Sequence, residues 1–599
     1  MMKKLLTLIS CLAVFSGIVL DARAQWQTQS VLVKPGWTAV FLHVDASYTN
    51  LDYLVGGDSS IPIDQIWMWQ PTAVAAQFVT TPLQPITGSS QWSIWGRIGS
   101  GLGTPNTLAT LAPNAAFLIH SVAPTNYTWR VKGKPVTPTY LWNITGINLI
   151  GFPTVTNNPP MLDDFLSLIP PFQSAADFYQ YIGGPLSSFN PSYVYAPHAV
   201  PVTRGEAFWI NSSNYFNTYF GPFQVDAVNS TTDFGDSKSR TSFHLRNRSA
   251  SAVTVQLRLA PSEPPPDSTH FQAISNVPPL AVRGSLNTTN LSYTALNLTT
   301  TNTLSWTLPP QGQSGSDIVI MLGVNRIQFG GVAGSLYAGI LKFTDSYGFT
   351  EVDVPVSASP ANYAGLWVGS ASVSQVSNYL KTYQRDENNT PMTDSNGEYI
   401  VTGVNTNLGA TAKAFPLRLI LHNDGTNVLL LQRAFYGQDA GAHSIITTSE
   451  SLLDPTKLGA ARRITAAHLP WTPDNKTWKF TGALVPGGTL STLATIQYDD
   501  QAANPFLHTY HPDHDNLNAT FQNQLPIGSE SYQIDRQITL SLLAPGNDYN
   551  AVTQYGQVFS GSYLETVTLT GIGATTRTFN VAGAFAINKI SPVAVLSRP

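Results

Sequence analysis

Cysteine is almost missing: Cys11 is the only one in 599 residues, and it sits inside the first hydrophobic run. If that run is removed as an export leader, the mature chain has no cysteine, and thiol catalysis, Cys-ligated zinc and iron–sulfur chemistry are excluded. Any metal must be held by His, carboxylate or carbonyl oxygen. Charge is scarce as well, with Asp, Glu, Lys and Arg making up 11% of the chain, against about 25% in an ordinary soluble protein. With no basic stripe to neutralise phosphates, nucleic acid is not an expected partner. Helical periodicity is rare, and no apolar run after the first is long enough to span a bilayer. The chain also lacks G-x-S-x-G, a phosphate-binding loop and a dinucleotide fingerprint. Glycosidase chemistry survives these exclusions, because a pair of carboxylates leaves no local signature.

The first residues, MMKKLLTLISCLAVFSGIVLDARAQ, have the parts of an export signal. Lys3 and Lys4 supply the positive start, residues 5–20 the apolar run, and Ala22-Arg23-Ala24 a small-x-small cleavage site. LISC resembles a lipoprotein box, but cleavage at Cys11 would cut the apolar run in half, so cleavage after Ala24 is the expectation. Losing Lys3, Lys4, Arg23 and Asp21 takes Lys+Arg from 31 to 28 and Asp+Glu from 35 to 34, and the net charge from -4 to -6. The mature chain is then cysteine-free, with no transmembrane segment. It is exported to the periplasm, the cell surface or the medium, where disulfides are permitted but unused.

What the sequence has in quantity is period-2 alternation, punctuated by 45 glycines and 42 prolines. The expected fold class is all-β, in three β-rich domains after a signal peptide at 1–24. These are a duplicated small β domain at 25–230, an immunoglobulin-like sandwich at 231–359, and a β-sandwich or barrel at 360–599. FPLRLILHNDGTNVLLLQRA (415–434) reads as a hairpin turning at Asn423-Asp424-Gly425, and 337–358 as another turning at Asp345 to Gly348. PPMLDDFLSLIPPF (159–172) reads as a short helix stopped by Pro170. YAGLWVG (363–369) and FNVAGAFAINKIS (579–591) predict a last domain closed by pairing its own ends.

The duplication rests on PGWTAVFLHV (35–44) with IWMWQP, WSIW and PNAAFLIHS (113–121), against TGINLIGFPT (145–154) with TRGEAFWINS (203–212). This pattern resembles the GWN-type and aromatic-strand repeats of modular secreted bacterial proteins, which implies small β domains with no fixed activity. HPDHDNL, with GLWVG and GSYLETVTL around it, is similar to an uncharacterised group of secreted proteins from environmental bacteria, which implies modularity.

Two sets of residues invite a functional reading. HTYHPDHDNLN (508–518) packs His508, His511 and His514 among aspartates. Pro512 interrupts any helix or strand that would align all three histidines as a zinc site. Asp513, Asp515, Asn516 and Asn518, with His511 and His514, are the candidate metal ligands, and calcium fits their oxygens better than zinc. Asp499 and Asp500 lie just upstream. The plainer account has Asp513 and Asn516 capping turns while the histidines bond across the loop. The second set, Trp67, Trp69, Trp92 and Trp95, would make a sugar-stacking platform if exposed, although aromatic strand residues more often fill a core. DENNTPMTDSNGE (386–398) has a calcium-like composition but fits an ordinary hairpin tip.

Together these features favour an exported, non-enzymatic, multidomain β protein that binds a polysaccharide or a surface protein, or builds a surface assembly. The alternative is a carbohydrate-active hydrolase with catalysis in the C-terminal domain.

Overall fold

Four strands near the N-terminus carry apolar residues at consecutive positions, where a sheet with one wet face would alternate. In Gly36–Leu42 and Ala115–Ser121, positions 38–42 and 116–119 are all buried. The computed structural model describes residues 25–598 except 103–105, 140–142, 144–145, 188, 213–219, 228–231, 331, 378–379, 406–407, 467–477, 501–503, 507–531, 554–555 and 572–575. In it, these two strands join Ile63–Trp69 and Trp92–Gly96 in an antiparallel sheet that is covered on both faces. One face sets Val40, Ile66, Trp95 and Phe117 against Val31, Trp129 and Val131, which belong to a three-stranded sheet of Gln27–Val33, Tyr127–Pro135 and Val44–Asp45. The other face sets Phe41, Trp67, Trp69 and Trp92 against Leu149, Tyr181 and Trp209. These come from a sheet ordered Ser192–Tyr193, Ala176–Gln180, Phe208–Ser212, Asn148–Ile150, and from the residue that follows its second strand. The far side of that sheet buries Phe178, Phe208 and Ile210 on Leu162, Phe165 and Phe172. The last three lie on two short helices, Leu162–Ser167 and Pro170–Ala175. The first helix stops before Pro170, which keeps Ile169 out of the helical region, and Pro170 also opens the second helix, at a position whose missing N–H has no bond to lose.

Alternation reappears where only one face is buried. Thr241, Phe243, Leu245 and Asn247 of Arg240–Asn247 point inward, as do Val253, Val255, Leu257 and Leu259 of Val253–Pro261. Each strand belongs to a different sheet, and the two sheets share one core. The first is ordered Phe223–Ala227, Arg240–Asn247, Asp317–Val324, Leu280–Asn287, Ser292–Leu298; the second, Thr232–Asp233, Glu351–Ala358, Leu336–Asp345, Val253–Pro261, Thr303–Leu308. The 337–358 hairpin forms within the second sheet, with Gly348 at φ +73 in its turn. A helix, Tyr549–Thr553, lies on the outer face of the first sheet, where Tyr549 and Val552 pack with Ala281. Gly323 permits that approach, since a Cβ there would stand 2.3 Å from Thr553 Cγ2. Residues up to Pro360 together with Asp548–Thr553 form one compact unit.

The second unit, Ala361–Asn547 with Gln554–Pro599, contains a closed barrel. Its eight strands are Gly365–Ser377, Leu408–Asn423, Val428–Leu430, Trp478–Gly482, Thr489–Ile496, Gln533–Leu542, Val558–Thr570 and Thr576–Ser591. The first pairs with the last, which is the closure expected from the chain ends, and the Asn423-Asp424-Gly425 hairpin forms with Gly425 at φ +95. Glycine is needed at the seam: a Cβ on Gly369 would lie 1.9 Å from Ala586 O, and one on Gly583 2.2 Å from Ser372 O. Inward positions are filled by Trp367, Leu419, Ile538, Leu540, Phe559, Phe585 and their neighbours. Outward ones include the exposed Ser370, Ser372, Ser560 and Ser562. The chain is thus all-β and multidomain. Among the described residues no helix is long and apolar enough to cross a membrane.

Candidate functional site

Cross-strand neighbours in an antiparallel sheet put their side chains on the same face. Tyr179, in Ala176–Gln180, is flanked by Tyr193 on one side and Trp209 on the other. That face is the one that enters the tryptophan-rich core, where Trp209 is wholly buried and Tyr179 packs at the edge. Tyr193 lies beyond Tyr179, and Tyr195 two residues later falls on the same side. A row of aromatic side chains therefore runs from the core into solvent, ending at Tyr195, which is 87% exposed. Ring centroids of Tyr179 and Tyr193 are 5.2 Å apart, edge to face, and those of Tyr193 and Tyr195 are 4.7 Å apart.

Asp177 braces the row. Tyr193 Oη donates to its Oδ1 at 3.0 Å, and this hydrogen bond is the main reason the Tyr193 phenol ionises above its ordinary range. Tyr179 is raised too, first by burial and then by the Asp177 charge. Both phenols thus stay neutral at physiological pH. Consecutive rings touch and form a row, so they do not surround a cation as an aromatic cage does. What remains open is a stepped apolar surface beside a carboxylate and phenolic hydroxyls. Such a surface suits a ligand with one apolar face and a hydroxylated rim. Asn190 holds the preceding loop: its Oδ1 accepts from Ile182 N at 3.1 Å and its Nδ2 donates to Gly183 O at 3.0 Å. That loop exposes Ile182 and Phe189.

The four tryptophans selected from the sequence take different positions. Trp67, Trp69 and Trp92 come together around Trp209, with Trp69–Trp209 centroids at 5.0 Å and Trp69–Trp92 at 5.3 Å. Trp95 lies on the opposite face of its strand, and its Nε1 donates to Asp52 Oδ1 at 2.8 Å. All four are buried, at 3%, 4%, 4% and 1% exposure respectively, so none offers a ring face to solvent. The tyrosine row was not singled out in the sequence. Its signal is the alternation YQY (179–181) and YVY (193–195), read as neighbouring strands.

His511, Asp513, His514, Asp515, Asn516 and Asn518 lie outside the described residues. The stem of their segment is described. Ile496 pairs with Ile534, and Asn504 Nδ2 donates to Gln497 O at 2.9 Å and Tyr532 O at 2.7 Å, tying its two ends together. Among the described residues no group of three or more His, Cys, Asp or Glu is placed to hold a metal. Inside the barrel, Glu565 is engaged by neighbours: Tyr563 Oη donates to its Oε2 at 2.6 Å and Arg536 Nε to its Oε1.

No family model and no curated protein matches the chain. A solved structure from Bacteroides ovatus, described as a structural-genomics target of unknown function, is similar at 9% identity with a TM-score of 0.15. The match covers 61% of this chain and 93% of that one.

Proposed function

We propose that this is an exported, non-enzymatic β protein whose first unit binds polysaccharide on the Tyr179–Tyr193–Tyr195 row. The observation that carries the reading is the exposure of Tyr195, 87%, at the end of rings already in contact. An isolated exposed tyrosine needs no explanation, whereas an exposed ring that continues two half-buried ones extends an apolar surface suited to recognition. A sugar ring offers an apolar face to the tyrosines and hydroxyls to Asp177. The leader at 1–24 sends the chain to the compartment where such polymers occur, and the low charge suits a neutral partner.

Affinity electrophoresis through gels containing soluble glucans, mannans and xylans tests the reading. At least one polymer retards the wild-type chain, and Tyr195→Ala weakens retardation about tenfold, the equivalent of about 1.4 kcal/mol. Stability is unaffected, since the ring is solvent-exposed. Equal retardation of the two chains refutes the site. Hydrolysis of any of these polymers, or of a model ester, by the purified chain refutes the non-enzymatic assignment.

A further inference from the structure

We infer a second ligand site, at one end of the two-sheet sandwich, for a neutral oligosaccharide segment. Three stretches of chain, 275–280, 297–300 and 328–330, meet there around a cavity of about 530 Å³, a size typical of small-ligand sites. The floor is apolar: Leu259, Leu280, Leu298 and Tyr337 are each 7% exposed or less. The rim is polar, and among the described lining residues there is no Asp, Glu, Lys or Arg. Its polar groups are amides and hydroxyls, chiefly Asn276, Asn297, Thr299, Thr300 and Gln328.

Two properties separate this groove from an ordinary surface dent. First, its backbone is held from outside the groove. Asn302 Oδ1 accepts from Thr299 N at 2.8 Å and its Nδ2 donates to Asn297 O at 2.6 Å, fixing one wall. Asn325 N donates to Pro279 O at 2.9 Å, and Asn325 Oδ1 accepts from Ile327 N, joining the other two. The buried Arg326 guanidinium then anchors that corner to Phe234 O at 3.0 Å and Lys238 O at 2.7 Å. Second, three of the five polar rim side chains are uncommitted: among the described residues, those of Asn297, Thr300 and Gln328 have no hydrogen-bond partner, whereas Asn276 Oδ1 accepts from Val277 N at 2.8 Å and Thr299 Oγ1 donates to Asn302 Oδ1 at 3.1 Å. A rigid frame with free amide and hydroxyl groups loses little entropy on binding. Each of those groups can donate and accept, which matches the hydroxyls of a sugar. The absence of fixed charge in the groove disfavours an ionic ligand, because a desolvated charge would find no counterion.

The site is independent of the tyrosine row, and one experiment separates them. Hydrogen–deuterium exchange of the full chain is followed with cello-, manno- and xylohexaose, with an oligogalacturonate, and with a capped uncharged hexapeptide. At least one neutral hexasaccharide slows exchange in 274–280, 297–302 and 326–330 together. Asn297→Leu combined with Gln328→Leu abolishes that protection, with the melting temperature unchanged. Tyr195→Ala leaves it intact, even where polysaccharide retardation is lost. Protection by the acidic oligosaccharide or the peptide alone overturns the ligand class. Protection that persists in the double variant, or the absence of protection from all three neutral sugars, overturns the site.

Discussion

Asp353 is 2% exposed, and its carboxylate is surrounded by donors from distant parts of the first unit. Its Oδ2 accepts from Arg204 Nη2 at 2.8 Å and Gln27 Nε2 at 3.0 Å; its Oδ1 accepts from Lys342 Nζ at 3.0 Å. Arg204 Nη1 also donates to Thr154 O at 3.1 Å and Glu351 O at 2.7 Å. Arg204→Met therefore removes one of two cations from a buried anion and leaves two carbonyls without that donor. Breaking a buried pair costs about 3–5 kcal/mol. Lys342 still compensates the charge, so the lower end, about 3 kcal/mol, is expected. Asp353→Leu leaves Arg204 buried without its carboxylate and belongs nearer 5 kcal/mol. The double variant removes both charges, so its loss falls short of the sum of the singles by about 1–3 kcal/mol. Urea unfolding followed by tryptophan fluorescence reads this, since most of the 13 tryptophans precede residue 360. Additive losses, or single losses below about 1 kcal/mol, would show that the network is not coupled and refute the reasoning.

Three further outcomes follow from the structure. Burial, with Arg204 beside it, holds the His43 imidazole well below 6.5. Below that pH the unfolded chain takes up a proton that the folded one refuses, so stability falls on acidification by up to about 1.4 kcal/mol per pH unit. His43→Gln flattens the first unit's stability profile between pH 6.5 and 5, and an unchanged slope counts against the assignment. Gly323→Ala drives a Cβ to within 2.3 Å of Thr553 Cγ2. It lowers stability by about 1–3 kcal/mol and makes 548–553 more sensitive to protease; unaltered cleavage refutes the packing. In the barrel, Glu565→Gln leaves the Arg536 guanidinium without its anion, costing about 3–5 kcal/mol. Tyr563→Phe removes one hydrogen bond to a charged group and costs about 1.5–3 kcal/mol. The reverse order of denaturation midpoints would contradict the geometry.

Much of the fold was legible because strand faces obey a local rule. Residues 415–434 hold two apolar runs around Asn-Asp-Gly, and those three residues tolerate the turn whatever else surrounds them. The glycine-bearing ends at 363–369 and 579–591 likewise carried the closure of the barrel. Trp67 and Trp69 share a face as the period requires, and for the same reason Trp95 lies opposite Trp92. Which face would be wet was another matter. The sheet holding Trp67, Trp69, Trp92 and Trp95 has no wet face, because a different sheet covers each side. Tyr195 remains exposed because it follows Ser192–Tyr193, the strand at the edge of its sheet, where no further strand covers it.

The sequence by itself determined the β character and several turns, which depend on residues near one another in the chain, and the single cysteine and low charge, which are composition alone. Only the tertiary structure decided which aromatic rings reach solvent, that Arg204 meets Asp353 across 149 residues, and that three separate stretches frame the sandwich groove. Those outcomes depend on strand register and on which layer covers which, and a period of two carries no record of either.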